Sequence, residues 1–195
     1  MDISKISEHG SLKYRWTNLV DVIYRELVIK DEYRLTWASH NLPRIKTIVD
    51  IGGNLGMFAI FARELFPDVR IVSVEACKDT YKILERNTAE FNIETYNFAM
   101  GDGSRLYLNK CQDHSGANQM VHHTTVDDVV GIESYGLSSI FDMLQIEAPY
   151  IVKIDIEGGE ICLFDDVKSS DILKEAEYVT MEFHLVGNLS RDFNI

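Results

Sequence analysis

Proline is scarce in this chain, three in 195 residues, and cysteine equally so. No proline-rich linker marks a domain boundary, and no internal repeat or low-complexity tract divides the sequence. Cys77, Cys111 and Cys162 are odd in number, far apart and without a CxxC pair, which argues against a disulfide framework or a structural zinc site and fits a reducing cytoplasm. Long apolar runs are also missing. No stretch approaches the ~20 residues needed to span a bilayer, and Met1-Asp2-Ile3-Ser4-Lys5 lacks the apolar core of a signal peptide, so a cytoplasmic location without a membrane partner is expected. Positive charge is short as well: 19 Lys+Arg against 31 Asp+Glu leave a net charge of -12. The average field repels phosphate backbones, no run of Lys or Arg interrupts it, and nucleic acid is not expected as a partner.

What the chain does have is 46% hydrophobic and 10% aromatic residues, enough to bury the core of one domain. Residues 15–30 place Trp16, Leu19, Val20, Ile23, Leu27 and Val28 at helical spacing, so residues 1–44 read as a helical prelude packed on the rest. From residue 45 to 195 short apolar runs alternate with helical stretches, the pattern of βαβ units on a parallel sheet. The expected strands are Lys46–Ile51, Val69–Glu75, Glu94–Ala99, Tyr150–Asp155 and Tyr178–Phe183, and the expected crossover helices are Met57–Phe66 and Thr80–Phe91. Near 103–130 the rhythm breaks into a strand-and-loop insertion, a usual place for substrate contacts.

The first expected strand runs into the glycine-dense turn Asp50-Ile51-Gly52-Gly53-Asn54-Leu55-Gly56 and then into a helix. Such a turn aims helix amides at a ligand. Gly52 and Gly53 permit close backbone approach, and Gly56 allows tight packing of the helix on the strand. Glycines at 52, 53 and 56 fail the GxGxxG spacing of a dinucleotide site and fit DxGxxxG. Asp50 suits S-adenosylmethionine, with its sulfonium and ammonium groups, better than a pyrophosphate that a carboxylate would repel. Glu75, at the end of the second strand, can accept both hydroxyls of a ribose, a device that NAD enzymes share. Asp102, after the third run, either reads an adenine amino group or fixes a turn with Gly103.

Four segments together resemble the FkbM family of S-adenosylmethionine-dependent methyltransferases: VDIGGNLGMFAIFAR, SVEAC with the helix after it, SGANQM with TTVDD, and KIDIEGGE followed by MEFH. They lie between residues 49 and 184. The resemblance implies a class I, Rossmann-like α/β fold, a mostly parallel sheet with helices on both faces. It also implies methyl transfer to a hydroxyl of a sugar, polyketide or other small or conjugated, glycan-type acceptor. Two features depart from the family. Gly53 stands where alanine is more frequent, a change not expected to disturb binding. The chain also runs only eleven residues past His184, too few for a sixth and seventh strand, so the C-terminal strands of the fold are expected to be missing. An alternative is a module that binds S-adenosylmethionine without catalysis of its own.

Methyl transfer to an alcohol requires an aligned acceptor oxygen and a group that takes its proton. Strand alternation puts Lys153, Asp155 and Glu157 on one side of the fourth run, facing the cleft at the carboxyl edge of the sheet. Asp155 and His184 are the candidate bases, Glu157 accompanies them, and Lys153 is a candidate substrate contact. Asp155, Glu157, Glu182 and His184 would also suit a divalent cation, an arrangement not favoured here. In the insertion, Asn118 of Ser115-Gly116-Ala117-Asn118 offers a donor and an acceptor, and the resemblance places it near the site. His122 and His123 would point to opposite faces and make a poor metal clamp. Thr125-Val126-Asp127-Asp128 resembles a helix cap. Nothing in the sequence sets the oligomeric state.

Overall fold

The computed structural model describes residues 6–9, 12–15, 23–109, 119–121, 130–157, 159–161, 163 and 167–184. Five strands form one wholly parallel sheet in the order β11-β10-β3-β4-β5: β3 is Thr47–Ile51, β4 Arg70–Val74, β5 Glu94–Tyr96, β10 Tyr150–Ile154 and β11 Tyr178–Met181. These are the five runs expected from the sequence; β3 ends at Ile51 as expected, and the other four end one to three residues earlier than their apolar patterns suggest. The three central strands, β3, β4 and β10, are rich in β-branched residues and buried on both sides, as strands covered by crossover helices must be, while the edge strands β5 and β11 are half-buried.

The two-residue side-chain period sorts the sheet into two faces. Ile48, Ile71 and Ile151 point into a core completed by the prelude and by helix α2 (Met57–Leu65), which buries every residue from Met57 to Ala62. Val49, Val72 and Val152 point the other way, against helix α4 (Leu137–Leu144), whose Leu137, Ile140, Phe141 and Leu144 form one apolar stripe, and against Ile172 and Leu173 of α5 (Val167–Glu175). Helix α3 (Lys78–Thr88) follows β4 and reaches the first core through Ile83. The doubly covered sheet is the expected Rossmann-like arrangement.

The prelude differs from the single amphipathic helix read over 15–30. Arg15 belongs to strand β2 (Leu12–Arg15), antiparallel to β1 (Ile6–His9). Residues 25–29 form a π-helical turn closed by Lys30 N–H on the Arg25 carbonyl at 2.9 Å, and helix α1 (Leu35–Asn41) follows. Leu27 and Leu35 are nonetheless core residues at 2% and 0% exposure. Trp16, Leu19 and Val20 lie outside the described residues.

The third expected strand divides. After Tyr96 the chain leaves the parallel sheet, Asn97 Nδ2 donating to the carbonyls of Glu75 and Ala76, and Ala99–Met100 (β6) pairs with β9 (Val130–Tyr135) instead. With β7 (Arg105–Asn109) and β8 (Gln119–Val121) these make a second sheet, order β6-β9-β7-β8. The insertion is thus richer in strand than the sequence pattern suggests. Asn118, His122, His123 and the Thr125–Asp128 segment lie outside the described residues, as do Cys111 and Cys162.

Candidate functional site

The strand register sets the centre of the site. Asp50 pairs with Ser73 on one side and with Lys153 on the other, so three polar residues of adjacent strands share the face of Ile48, Ile71 and Ile151. All three are buried, at 0%, 0% and 3% exposure. Ser73 Oγ donates to Asp50 Oδ2 at 2.7 Å, and Lys153 Nζ lies 3.1 Å from Asp50 Oδ1. The ammonium also donates to the Gly52 carbonyl at 2.7 Å, sits 3.8 Å from Asp155 Oδ2 and faces the rings of Tyr33 and Phe58 at 5.8 and 5.7 Å. Burial opposes its charge, but Asp50 and Asp155 outweigh that and raise the Lys153 pKa. Lys153, read from alternation as a cleft-facing substrate contact, does line the cleft, but its charge is tied to Asp50 and to the turn at Gly52.

The glycine turn is shaped by neighbouring protein. Gly52 (φ 85°) has its amide and that of Gly53 on the Val74 carbonyl, and a Cβ on Gly52 would fall 1.7 Å from the Asp155 carbonyl oxygen. A Cβ on Gly53 would lie 2.2 Å from Ser73 Oγ and 2.5 Å from Leu84 Cδ1. Alanine at 53 would require the Ser73 and Leu84 side chains to shift. Gly56 (φ 86°) makes its close approach to Thr88 and Leu84 of helix α3, rather than to the strand.

Glu75 lies just past β4. Its Oε2 accepts from the Asn54 amide at 2.9 Å and its Oε1 from the Cys77 amide at 2.7 Å. Burial pushes this carboxyl up to about 7 against the pull of those two amides and of Lys153. A carboxylate has about four lone-pair sites, so it retains capacity for further donors. Asn54 itself adopts φ 46°, and its buried Oδ1 has no hydrogen-bond partner among the described residues. Asp102 is exposed in a turn, where its Oδ1 accepts from the Ser104 amide at 2.8 Å.

An open cleft of about 240 Å³ lies at the carboxyl ends of β3, β10 and β11 and is bounded by Gly52, Gly53, Asn54, Lys153, Asp155 and Glu157. Asp155 follows β10, its amide bonded to the Ile51 carbonyl at 3.0 Å. The extended backbone stops there, and Glu157 takes φ 54°. His184, after β11, lies beside it: Nδ1 is 4.0 Å from Asp155 Oδ1 and 3.4 Å from Glu160 Oε1, and Nε2 is 3.6 Å from both Glu157 Oε2 and Glu182 Oε1. Partial burial opposes the imidazolium, but Glu157, Glu160 and Asp155 outweigh it and raise the pKa. Burial likewise raises that of Glu157. Asp155, Glu157 and His184 each offer a ligand atom within 4.8 Å of the others, an arrangement that could hold a cation.

Two residues at the site escaped the sequence reading. Glu160, fully buried, accepts from the Ile156 amide at 3.1 Å and holds the His184 side of the cluster. It stood inside KIDIEGGE, so the motif carried a signal for it. The Tyr33 hydroxyl of the prelude lies 3.2 Å from Asp155 Oδ2 and 3.3 Å from Glu182 Oε2, within donating reach of either, and no local pattern pointed to it.

Residues 50–190 match the Methyltransferase FkbM domain. Methyltransferase sdnD of Sordaria araneosa is 33% identical over 67 residues, 34% of this chain and 24% of that protein. Methyltransferase 1 of Beauveria bassiana is 24% identical over 169 residues, 73% of this chain and 65% of that protein. The matches therefore span from about a quarter to just under two thirds of these relatives. Among solved structures, a SAM-dependent methyltransferase from Agrobacterium tumefaciens superposes with a TM-score of 0.47 at 12% identity, over 88% of this chain and 48% of that one. A putative RNA methyltransferase from Pyrococcus horikoshii gives 0.41 at 14% identity, over 83% and 63%. The family match covers the glycine turn, Glu75, Asp155 and His184 in one stretch, and the chain belongs to the FkbM methyltransferase domain family.

Proposed function

We propose that this chain binds S-adenosylmethionine at the turn Gly52–Gly56 and transfers its methyl group to a hydroxyl of a small or conjugated acceptor. The observation that carries the reading is the convergence of the glycine turn and Asp155 on one cleft, with Glu75 bonded to the turn through the Asn54 amide. The unpartnered Asn54 Oδ1 supports the fit, because a buried acceptor without a donor is costly until a ligand supplies one. Glu75 would take the ribose hydroxyls. Asp50 serves the turn indirectly, through Lys153 and the Gly52 carbonyl, its own carboxylate being wholly buried.

Once bound, the cofactor supplies an electrophilic methyl carbon. Asp155, assisted by His184, takes the proton of the acceptor hydroxyl as its oxygen bonds to that carbon. Glu26, Asp155, Glu157 and Glu182 line the cleft, and its lining lysine is committed to Asp50 and Gly52. A neutral, hydroxyl-bearing acceptor suits that wall better than a phosphate or carboxylate. Calorimetry with S-adenosylmethionine tests the site: Glu75→Ala and Asp50→Ala should each weaken binding about tenfold or more. Affinity within about threefold of the parent in both would overturn it. Transfer of labelled methyl to a panel of glycosides and alcohols tests the reaction.

A further inference from the structure

Tyr33 joins parts of the chain that are far apart in sequence. Asp155 and Glu182, which share its hydroxyl, are 122 and 149 positions away. The ring stands edge-on to Phe58 with centroids 5.5 Å apart, and the Tyr33 carbonyl accepts from the Tyr178 hydroxyl at 3.3 Å. Ring and backbone are both held, so the phenol has little room to swing. Tyr33, Phe58, Asp155 and Glu182 all line the cleft.

A phenol carries one proton and can satisfy one carboxylate oxygen at a time. Here two carboxylates stand within 3.3 Å of the same phenol oxygen. When the phenol serves Asp155, Glu182, whose side chain is 55% exposed, can take its donors from solvent. On Asp155 the phenol takes Oδ2, while Oδ1 lies on the His184 side, 4.0 Å from Nδ1.

We propose that Tyr33 is a positioning residue for methyl transfer: by holding Asp155 Oδ2 it fixes the carboxylate so that Oδ1 receives the proton of the acceptor hydroxyl. The inference rests on Asp155 being the base. Tyr33 keeps its own proton throughout, since burial and the charges of Asp155 and Glu182 raise its pKa far above the ordinary phenol range. The balance is then one O–H proton moved to Asp155, one C–O bond formed and one S–C bond broken, with the electron pair left on sulfur.

The test uses the full chain and begins with proton NMR. A slowly exchanging downfield hydroxyl signal should be present in the parent, absent in Tyr33→Phe and displaced in Asp155→Asn. With S-adenosylhomocysteine as the probe, calorimetry of Tyr33→Phe should give an affinity within about threefold of the parent, while kcat for labelled methyl transfer falls about tenfold or more with KM little changed. A hydroxyl signal that is missing from the parent or unmoved by Asp155→Asn overturns the proposal. So does a Tyr33→Phe protein that loses cofactor affinity and melting temperature together, since that would make the tyrosine only a structural support. If Tyr33→Phe does not fold, the parent and Asp155→Asn spectra still decide. A parent that fails to bind S-adenosylhomocysteine removes the cofactor reading, which the hydroxyl signal does not depend on.

Discussion

Lys153 shows how much one buried charge organises. Two ions withdrawn from water are costly to keep, and removing one partner leaves the other uncompensated, which typically destabilises by about 3–5 kcal/mol. Lys153→Met should therefore lower unfolding free energy in urea by about that amount, and adding Asp50→Asn should recover much of the loss. An unchanged midpoint for Lys153→Met would show that the pair at 3.1 Å contributes little. Glu75 behaves differently because its folded pKa is raised, from 4.5 to about 7. A raised carboxyl favours the folded state fully below pH 4.5, and that contribution is lost as pH rises through about 7. The melting-temperature difference between parent and Glu75→Gln should thus be most favourable to the parent near pH 4.5 and shrink by pH 8, both values approximate bounds of the titration window. Affinity for S-adenosylmethionine should fall about tenfold in the same variant.

Among the elements, the ends of β10 and β11 form the working edge, and His184 links them through Asp155, Glu157, Glu160 and Glu182. Its pKa is raised, so its stabilising contribution is fully present below the ordinary imidazole value of 6.5 and disappears as pH rises through the raised one. The raised Glu157 carboxyl changes stability in the same direction. Thermal melts of parent and His184→Gln should differ most on the acid side of that window and converge above it. A difference constant with pH would mean that the imidazole is held by packing alone. The five strands were legible in the sequence because short runs rich in β-branched or aromatic residues, alternating with helical stretches, leave few alternatives. The prelude was less so: apolar spacing reports a buried helical stripe, but an α-helix and a π-turn bury Leu27 equally well. Helices α4 and α5 drew no attention beside the motif-bearing strands, although Leu137, Ile140, Phe141 and Leu144 carry a helical period.

For the whole molecule, the test is whether the ligand stabilises it. S-adenosylmethionine at a hundred times its dissociation constant should add about 2.7 kcal/mol, roughly 5–10 °C of melting temperature for a domain of this size. No shift at saturating concentration would count against the cofactor site. Among the described residues no helix is long and apolar enough to cross a membrane.

The sequence by itself determined the parallel sheet, the glycine turn with Glu75 beyond it, and the family, because these depend on local spacing: a strand period, a turn that only glycine can make, an acid at a strand end. Only the tertiary structure decided that Lys153 and Asp50 spend their charge on each other, that Gly53 is held by Ser73 and Leu84, and that Tyr33 reaches Asp155. Strand register, cross-sheet neighbours and the docking of a distant segment are set by packing between parts of the chain up to 149 positions apart, and no local pattern encodes them.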